Sequence, residues 1–264
     1  MNSALDDIAF LANSANRVAI LLELADGPHS KHVLMESTDF SRVTLGRILD
    51  DLEDRQWITQ RGQVCDITPL GAWVIEEFGA FQEMMEAERT LRDVFQWFPA
   101  DGYGFHISCL ADADITSISR ADASAPISTL IKQFDLGGRI YCFSFAITSQ
   151  FLEACWRSVM DGHVTVEWVF TSDVLEVLRS SPAMARQSRE MLESDRATYR
   201  HYEGDIPYVV IVSEETVNLR LADRDGAATA LIQTDNEQVR SWAETQFDEY
   251  WAAGAPLDAE AFTP

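Results

Sequence analysis

The sequence predicts a chain of mixed fold class: an α+β N-terminal domain of the winged helix-turn-helix type, a long linker helix and a C-terminal α/β domain. Short amphipathic helices followed by a tight hairpin occupy residues 16–67, an apolar helical stretch occupies 70–98, and strand and helix patterns alternate from 105 to 251. A chain of 264 residues with 47% hydrophobic content can bury the cores of one or two domains. We therefore place domains at 1–80 and 101–264, with a linker and dimerisation helix at 81–100.

Two short helices open the predicted N-terminal domain. Residues 16–24 (NRVAILLEL) form an amphipathic pattern, which the Asp-Gly-Pro sequence at 26–28 ends. Ser30 can cap a second helix that runs to about residue 37, and residues 38–40 supply the turn to a third. This spacing predicts two helices that cross steeply.

The third helix is the candidate for reading DNA. Leu45, Ile48, Leu49 and Leu52 recur at i, i+3, i+4 and i+7, which predicts a buried stripe. Ser41 is placed to cap the helix, so the opposite side presents small or cationic residues near its N-terminal end. These can pair with guanine, phosphate or base edges in a major groove; they are Ser41, Arg42, Thr44 and Arg47. The alternative is an ordinary solvated helix face.

A hairpin follows, and it predicts the wing. Residues 57–60 and 63–67 read as two strands joined by Arg61-Gly62, so Arg61 is a candidate phosphate contact at the tip. The alternative is an exposed turn residue without a partner. Thr68-Pro69 then predicts the start of another helix, with the cap residue first and proline at the first helical position.

The predicted linker helix, 70–98, carries more apolar side chains than one face of a small domain can cover. We expect it to pack on a second copy of the chain, so that the protein is a homodimer with recognition helices about one DNA turn apart on a palindromic operator. The alternative is that the C-terminal domain covers the same surface. Residues 99–102 (PADG) predict the end of this helix.

The C-terminal domain is predicted from alternating patterns. Strands are expected at 105–110, 139–146, 163–170, 208–212, 217–222 and 227–233, and helices at 126–134, 148–160, 172–180, 182–194 and 236–251. Residues 223–226 predict a hairpin turn. Such α/β domains bind ligands beyond the strand ends, which favours a small-molecule effector, anionic or planar, held by aromatic and cationic side chains. The candidates are Arg139, Tyr141, Trp168, Arg200, His201 and Tyr202. The alternative for each is an ordinary core or surface position.

Catalysis, cofactors and metals are not predicted. The sequence has no Gly-rich phosphate loop and no Gly-x-Ser-x-Gly elbow, and His106 and His163 lack the lysine of His-x-Lys phosphodiesterase sites. The four cysteines are widely separated, with no metal-ligand spacing, so we expect buried thiols. A redox sensor is the alternative if the fold brings them together.

The charge of the chain predicts a halophilic host. There are 43 acidic and 20 basic residues, a formal charge of −23, and only two lysines, Lys31 and Lys132. An acidic, lysine-poor surface suits a cytoplasm of molar salt, where repulsion is screened within a few ångströms. An excess of acidic residues ordinarily argues against DNA binding. In residues 41–65, however, the acids cluster past the midpoint of the third helix, so the end that would face DNA remains cationic. No apolar run reaches membrane-spanning length and no basic leader is present, so we expect a cytoplasmic protein.

Several of these motifs resemble a known family. The segments ANSANR (12–17), SRVTLGRIL (41–49), WI (57–58) and ITPLG (67–71) look like the DNA-binding half of haloarchaeal winged-helix transcriptional regulators. The segments DIPY (205–208), VNL (217–219), TDN (234–236) and VRSWAE (239–244) are similar to the effector domain shared with the methanogenesis and filament regulator family. The resemblance implies a dimeric regulator, and Arg17 in the first motif becomes a further candidate DNA contact.

The resulting hypothesis is a homodimeric, sequence-specific transcriptional regulator that binds double-stranded DNA and is modulated by a small molecule. One alternative is a protein-interaction adaptor whose winged helix no longer binds DNA. The other is a sensor enzyme that depends on His106 or His163.

Overall fold

A computed structural model describes residues 3–38, 40–99, 103–222 and 227–263. The chain divides into two compact units, Met1–Met85 and Glu86–Pro264. The predicted turns at 38–40, 99–102 and 223–226 fall wholly or partly outside the described residues.

Unit 1 contains helices followed by a hairpin. Its helices are α1 (Ala4–Ala12), α2 (Ala15–Ala25), α3 (Lys31–Ser37) and α4 (Arg42–Glu53), and α5 (Pro69–Leu91) begins in this unit. Its strands are β1 (His29–Ser30), β2 (Ile58–Arg61) and β3 (Val64–Ile67), which form an antiparallel sheet in the order β1-β3-β2. The three helices predicted at 16–24, after Ser30 and after Ser41 are therefore present as α2, α3 and α4, and so is the hairpin. α1 was not predicted; Ser3 and Asp6 form a capping box at its start.

The core of unit 1 is built from the predicted stripe of α4. Leu45, Ile48, Leu49 and Leu52 are all at most 3% exposed and pack with the leucines and isoleucine of α2. Full burial of one such side chain stabilises a fold by about 1.5–3 kcal/mol. The orientation of α4 about its own axis is thus fixed by its apolar side, which determines the residues it leaves outside.

Unit 2 is an α/β structure around an eight-stranded mixed sheet. Its strands are β4 (Asp114–Ser117), β5 (Gly138–Ser144), β6 (Val164–Thr171), β7 (Ala197–Tyr202), β8 (Val209–Val212), β9 (Val217–Ala222), β10 (Ala228–Thr234) and β11 (Ala255–Leu257). Its helices are α6 (Ala125–Ile131), α7 (Gln133–Leu136), α8 (Ser149–Met160), α9 (Ser172–Ser180), α10 (Pro182–Glu193) and α11 (Glu237–Ala253). The order of the sheet is β11-β7-β6-β5-β8-β9-β10-β4, with parallel pairing only between β5, β6 and β7.

Side chains of the central strands alternate between two cores. On β5, Ile140 and Cys142 join the core that α8 and α10 complete, whereas Tyr141 and Phe143 join the core that α11 completes. This period of two is what a strand covered on both faces requires. β5 and β6 are buried on both faces over most of their length, whereas β7 buries Ala197 and Tyr199 and leaves its other residues at least partly exposed.

Three predictions about elements are wrong. Residues 105–110 are not a strand: Ile107–Leu110 is a 3₁₀ helix. The adjacent Cys109 and Leu110 are both buried in one core, which the alternating faces of a strand would not allow. The linker helix ends at Leu91 rather than at 98, and Phe95–Trp97 forms a separate 3₁₀ turn. The predicted helix 126–134 is divided between α6 and α7.

The strands β4, β7 and β11 were not predicted at all.

In the described part of the chain no single helix has the length and hydropathy of a membrane span. α1 and α2 satisfy the same criteria only as a pair bent by 92°.

Candidate nucleic-acid interface and ligand cavity

Ser41 caps α4, as its position predicted. Its Oγ accepts a hydrogen bond from the backbone N–H of Thr44 at 3.2 Å and lies 2.9 Å from Thr44 Oγ1. The hydroxyl satisfies one of the free amides of the first turn and thereby fixes where the helix begins. Ser41 is exposed and Thr44 is half-buried, so both lie at the edge of the outward face.

The first two turns of α4 expose two arginines that no described acid neutralises. Arg42 and Arg47 are exposed, and within the described residues no carboxylate oxygen lies within 4.0 Å of either guanidinium. They are five residues apart, with the half-buried Gly46 beside them. An uncompensated pair of guanidinium groups at a helix N-terminus can bind phosphate or the acceptor edge of guanine.

The acids of α4 are held elsewhere. Gln60 of β2 donates its side-chain N–H to Asp50 at 3.2 Å and its backbone N–H to Glu53 at 2.8 Å. Asp51 lies 3.7 Å from Arg17 of α2. The carboxylates of the second half of the helix are thus directed to the hairpin and to α2, and the cationic opening turns stay separate from them.

The side chain of Arg17 is held by contacts within unit 1 rather than presented on its surface. Its Nη1 donates to the carbonyl of Phe10 at 2.7 Å, and its guanidinium lies 3.8 Å from the centre of the Phe10 ring. Only 21% of the side chain is exposed. The structure therefore does not bring Arg17 to the face that carries Arg42 and Arg47.

Arg61 lies at the tip of the β2–β3 hairpin. It is the last residue of β2, it is exposed, and its strand is followed by Gly62 with φ +65°. The turn thus falls on Gly62 and Gln63, one residue later than predicted. The positive φ is readily adopted by glycine, which explains the residue type at this corner.

The candidate ligand residues of unit 2 do not form one site. Arg139 pairs with Glu167 on the neighbouring strand, with its Nε 2.9 Å from the carboxylate. Tyr141 donates its hydroxyl proton to Glu244 of α11 at 3.1 Å. Burial, followed by the negative charge of Glu244, raises the pKa of Tyr141 well above its usual value. Both side chains are therefore used within the fold.

Trp168 and Arg200 are also occupied internally. Trp168 is 2% exposed, and its indole N–H donates to Ser144 Oγ at 2.9 Å. Arg200 Nη1 donates to the carbonyl oxygens of Trp251 and Gly254 at 2.8 and 3.0 Å. Both side chains are held by contacts within unit 2, and the structure does not assemble the predicted site for an anionic or planar effector around them.

A cavity of about 500 Å³ lies instead at the carboxyl ends of the three parallel strands. Its wall consists of Phe145 after β5, residues 171–173 at the junction of β6 and α9, and residues 203–207 after β7. Crevices in this position are where open α/β sheets bind ligands, because loops from adjacent strands converge there.

Two polar side chains at the cavity, those of Thr171 and His201, are placed to contact a ligand. Thr171 lines it, is 7% exposed, and its Oγ1 has no hydrogen-bond partner in the described part of the chain. Ser172 Oγ lies 2.9 Å from His201 Nε2, so His201 is the candidate that reaches the cavity edge. Tyr202 follows it on β7 and packs on Tyr250, with ring centres 5.2 Å apart.

The charge of the cavity is negative. Its described lining includes the carboxylates of Asp173, Glu203 and Asp205 and no lysine or arginine. These groups repel an anion and accept hydrogen bonds from a neutral or cationic ligand. The sequence-based expectation of an anionic effector does not fit this cavity.

Among the described residues we find no site for thiol chemistry and no site for a metal ion. The four cysteines are all buried and free, and burial raises the pKa of Cys155 to about 12. A thiol with that pKa stays protonated at neutral pH and is a poor nucleophile. No group of three or more His, Cys, Asp or Glu side chains among the described residues could hold a metal. His106 contacts Ser108 Oγ at 2.8 Å in the 3₁₀ segment and does not line the cavity.

Comparison with known proteins finds two family models. Residues 5–90 match the HVO_A0261 N-terminal domain, and residues 123–253 match the middle domain of the methanogenesis regulatory protein FilR1. No curated protein matches the chain.

Three solved structures are distantly similar. TrmBL2, an archaeal chromatin protein described as showing a novel mode of DNA binding, is 12% identical, with a TM-score of 0.43 over 97% of this chain and 100% of its own. Nuc from Salmonella typhimurium, a phospholipase D family member, is 14% identical, with a TM-score of 0.42 over 55% and 99%. NucT from Helicobacter pylori is 10% identical, with a TM-score of 0.40 over 55% and 98%. Because every score lies below 0.5, these likenesses define neither the fold nor the function of this chain.

Proposed function

We propose that this chain, which belongs to the family of haloarchaeal regulators similar to the methanogenesis regulatory protein FilR1, is a sequence-specific DNA-binding transcriptional regulator. In this proposal unit 1 is a winged helix-turn-helix with α4 as the recognition helix and the β2–β3 hairpin as the wing. The single observation that carries it is the cationic opening of α4: Arg42 and Arg47 are both exposed near its N-terminal end, and no acid of the described residues lies within 4.0 Å of either guanidinium.

The dimensions and polarity of α4 suit a major groove. Its 12 residues extend about 18 Å, and the groove of B-DNA admits one helix. Arg42 and Arg47 supply the donors that recognise guanine, and Ser41 and Thr44 lie beside them. Arg61 at the hairpin tip supplies the contact to the phosphate backbone.

We further propose that the protein acts as a homodimer through an apolar face on α1 and α5. Leu5 is 75% exposed and Trp73 61%, and Ile8 and Phe81 are also exposed. Residues of both helices line a groove of about 720 Å³ in unit 1. Large exposed apolar patches mark interaction sites, and a two-fold axis lets one patch cover its own copy. Such a dimer would place two α4 helices about one DNA turn, roughly 34 Å, apart on a palindromic operator.

The proposed effector site is the cavity at the carboxyl ends of β5, β6 and β7. Its acidic lining and the unpartnered Thr171 hydroxyl favour a neutral or cationic small molecule with several hydrogen-bonding groups. A ligand that binds one dimer geometry more tightly than another changes the population of DNA-binding dimers by that difference in affinity. Because its target is chromosomal DNA, the proposed place of action is the cytoplasm of a halophile.

The test is selection of bound duplexes from a randomised DNA library by the full chain in molar KCl, followed by titration of the selected sequence. Replacing Arg42 or Arg47 by Ala should weaken binding by about 1–3 kcal/mol, which is the loss of one bidentate guanine contact. Arg157→Ala is the matched control, since this arginine is also exposed on a helix but lies in unit 2. If both α4 variants bind as the wild type does, DNA recognition by α4 is wrong and the adaptor alternative is favoured.

A further inference from the structure

The most exposed large apolar side chain among the described residues lies on α4. Val43 is 83% exposed, directly after Arg42 in the first turn of the helix. Valine restricts its χ1 rotamers in a helix and is a weaker helix former than alanine or lysine. Val43 is therefore an apolar group that α4 presents to solvent rather than to its own unit, where it is available to contact another molecule.

Gly46, on the same face of α4, is likewise a residue type that is unfavourable in a helix. It lies three residues after Val43, in the middle of a helix, where glycine is destabilising relative to alanine. A Cβ at this position would meet nothing within 4 Å, so no atom of the described protein requires a glycine here. The absent side chain leaves a recess beside Val43 and allows another surface to come close to the helix backbone.

The two positions lie between two cations. Arg42 precedes Val43, and Arg47 follows Gly46. The side chains at 42, 43, 46 and 47 occupy one side of α4, opposite the buried Leu45, Ile48 and Leu49. An apolar recess bordered by guanidinium groups complements a surface that combines a methyl group with hydrogen-bond acceptors and phosphates. In the major groove, the methyl group is carried at C5 of thymine.

We propose that Val43 and Gly46 form a contact site for the 5-methyl group of a thymine, so that the operator contains a thymine at a fixed position beside the guanine read by Arg42 or Arg47. The inference rests on the proposed DNA-binding function and assigns part of its sequence specificity. Residues 43 and 47 are four apart, a rise of about 6 Å along the helix, which places the two bases within about two base pairs of each other.

The test uses the full chain and the duplex selected from the randomised library in molar KCl. Each thymine of that duplex is replaced in turn by deoxyuridine, which lacks only the 5-methyl group. At one thymine in each half-site, binding by the wild type should weaken by about fourfold, the value for burial of one methyl group. The Val43→Ala variant, which keeps only one methyl group at this position, should discriminate between the thymine and deoxyuridine duplexes less strongly than the wild type. Since Val43 is exposed and lies outside the buried core of unit 1, and since alanine favours the helix, this variant is expected to fold.

Two further variants sharpen the result. Val177→Ala removes an exposed helical valine from unit 2 and should retain the discrimination against deoxyuridine. Gly46→Ala should raise the melting temperature of the free protein yet weaken its binding to the thymine duplex, because the added methyl group fills the recess. A purely structural role for Gly46 would not move these two readouts in opposite directions.

The outcomes separate this inference from the proposed function. If the wild type binds the selected duplex but tolerates deoxyuridine at every position, or if Val43→Ala discriminates as strongly as the wild type, the methyl contact is overturned while DNA binding stands. If no duplex is enriched from the library, both are overturned, and a protein partner for this face takes their place.

Discussion

The junction between the β2–β3 hairpin and α5 gives a stability prediction that depends on a single atom. Gly71 lies in the first turn of α5, and a Cβ there would be 2.0 Å from the carbonyl oxygen of Trp57. That oxygen already accepts hydrogen bonds from Thr68, through its N–H at 2.9 Å and its Oγ1 at 3.1 Å. Thr68 Oγ1 in turn accepts from the N–H of Gly71 at 3.0 Å and so caps the helix. The substitution Gly71→Ala must therefore separate the helix from the hairpin.

The size of the effect follows from these contacts. The backbone atoms must part by about 1 Å or more, since overpacked positions relax only by moving their surroundings, at a cost of about 1–3 kcal/mol. Weakening the cap and the Trp57 hydrogen bonds adds about 1 kcal/mol, and the better helix propensity of alanine returns about 0.5–1 kcal/mol. We expect a net loss of roughly 2–3 kcal/mol in the unfolding free energy of unit 1. Gly79→Ala, in the same helix with nothing within 4 Å of the added Cβ, should gain about 0.5–1 kcal/mol.

Thermal unfolding in molar KCl, followed by hydrogen exchange of peptides from residues 42–67, measures both variants. For a unit of this size, 1 kcal/mol corresponds to about 4–8 °C, so the two substitutions should separate the first melting transition by at least about 10 °C. Exchange protection should fall in α4 and the hairpin of Gly71→Ala and be unchanged in peptides from unit 2. Equal melting temperatures for the two variants would show that the hairpin does not hold α5 in the described position.

Two further predictions address association and regulation. Phe81→Glu and Met85→Glu should convert the dimer to monomers in light scattering, because a carboxylate would be buried at the interface without a partner. The control Leu136→Glu, at an exposed leucine of unit 2, should leave the dimer intact. A dimer that survives the α5 substitutions would reject this face as the dimer interface. A metabolite that occupies the cavity of unit 2 should raise the melting temperature by about 5–10 °C at a hundred times its dissociation constant. The Ser172→Trp variant, which fills the cavity mouth, should lose that shift, whereas Ser149→Trp at the equivalent start of α8 should keep it; a shift common to all three proteins would place the ligand elsewhere.

Unit 1 could be predicted well because its signals are local. Ser30 and Ser41 cap helices at the positions that hydroxyl side chains favour, and the apolar stripe of α4 needs no tertiary information. The turn at Gly62 was placed to within one residue, since glycine is required where φ is positive. The role of Arg17 could not be read in the same way, because its partners Phe10 and Asp51 are brought to it only by the packing of three helices.

Unit 2 was predicted less completely because its strands depend on distant partners. The segment 197–202 (ATYRHY) alternates correctly, with Ala197 and Tyr199 buried, yet the polar residues between them obscured a strand that becomes evident only beside β6. The error at 105–110 has the opposite cause: an apolar segment of high β propensity is short enough to bury adjacent residues in a single turn of helix.

The ligand cavity was missed for a related reason. The candidates were chosen by residue type, and Arg139 and Arg200 found partners within the unit that the sequence does not reveal. The cavity wall comes from residues 145, 171–173 and 203–207, which follow the ends of three parallel strands. The rule that ligands bind beyond carboxyl ends would have located the first two segments. The third segment, 203–207, could not be located in this way, because it follows β7, a strand that was not predicted from the sequence.

The acidic composition determines which contacts can give DNA affinity at all. At molar salt the screening length is about 3 Å, so the formal charge of −23 scarcely acts on DNA beyond van der Waals distance, and a broad basic patch would gain little. Only groups in direct contact contribute, and α4 meets that condition by directing Asp50 and Glu53 to Gln60 while leaving Arg42 and Arg47 outward. Apolar contact is insensitive to charge screening. An exposed valine between two arginines is therefore the kind of reading surface that molar salt favours.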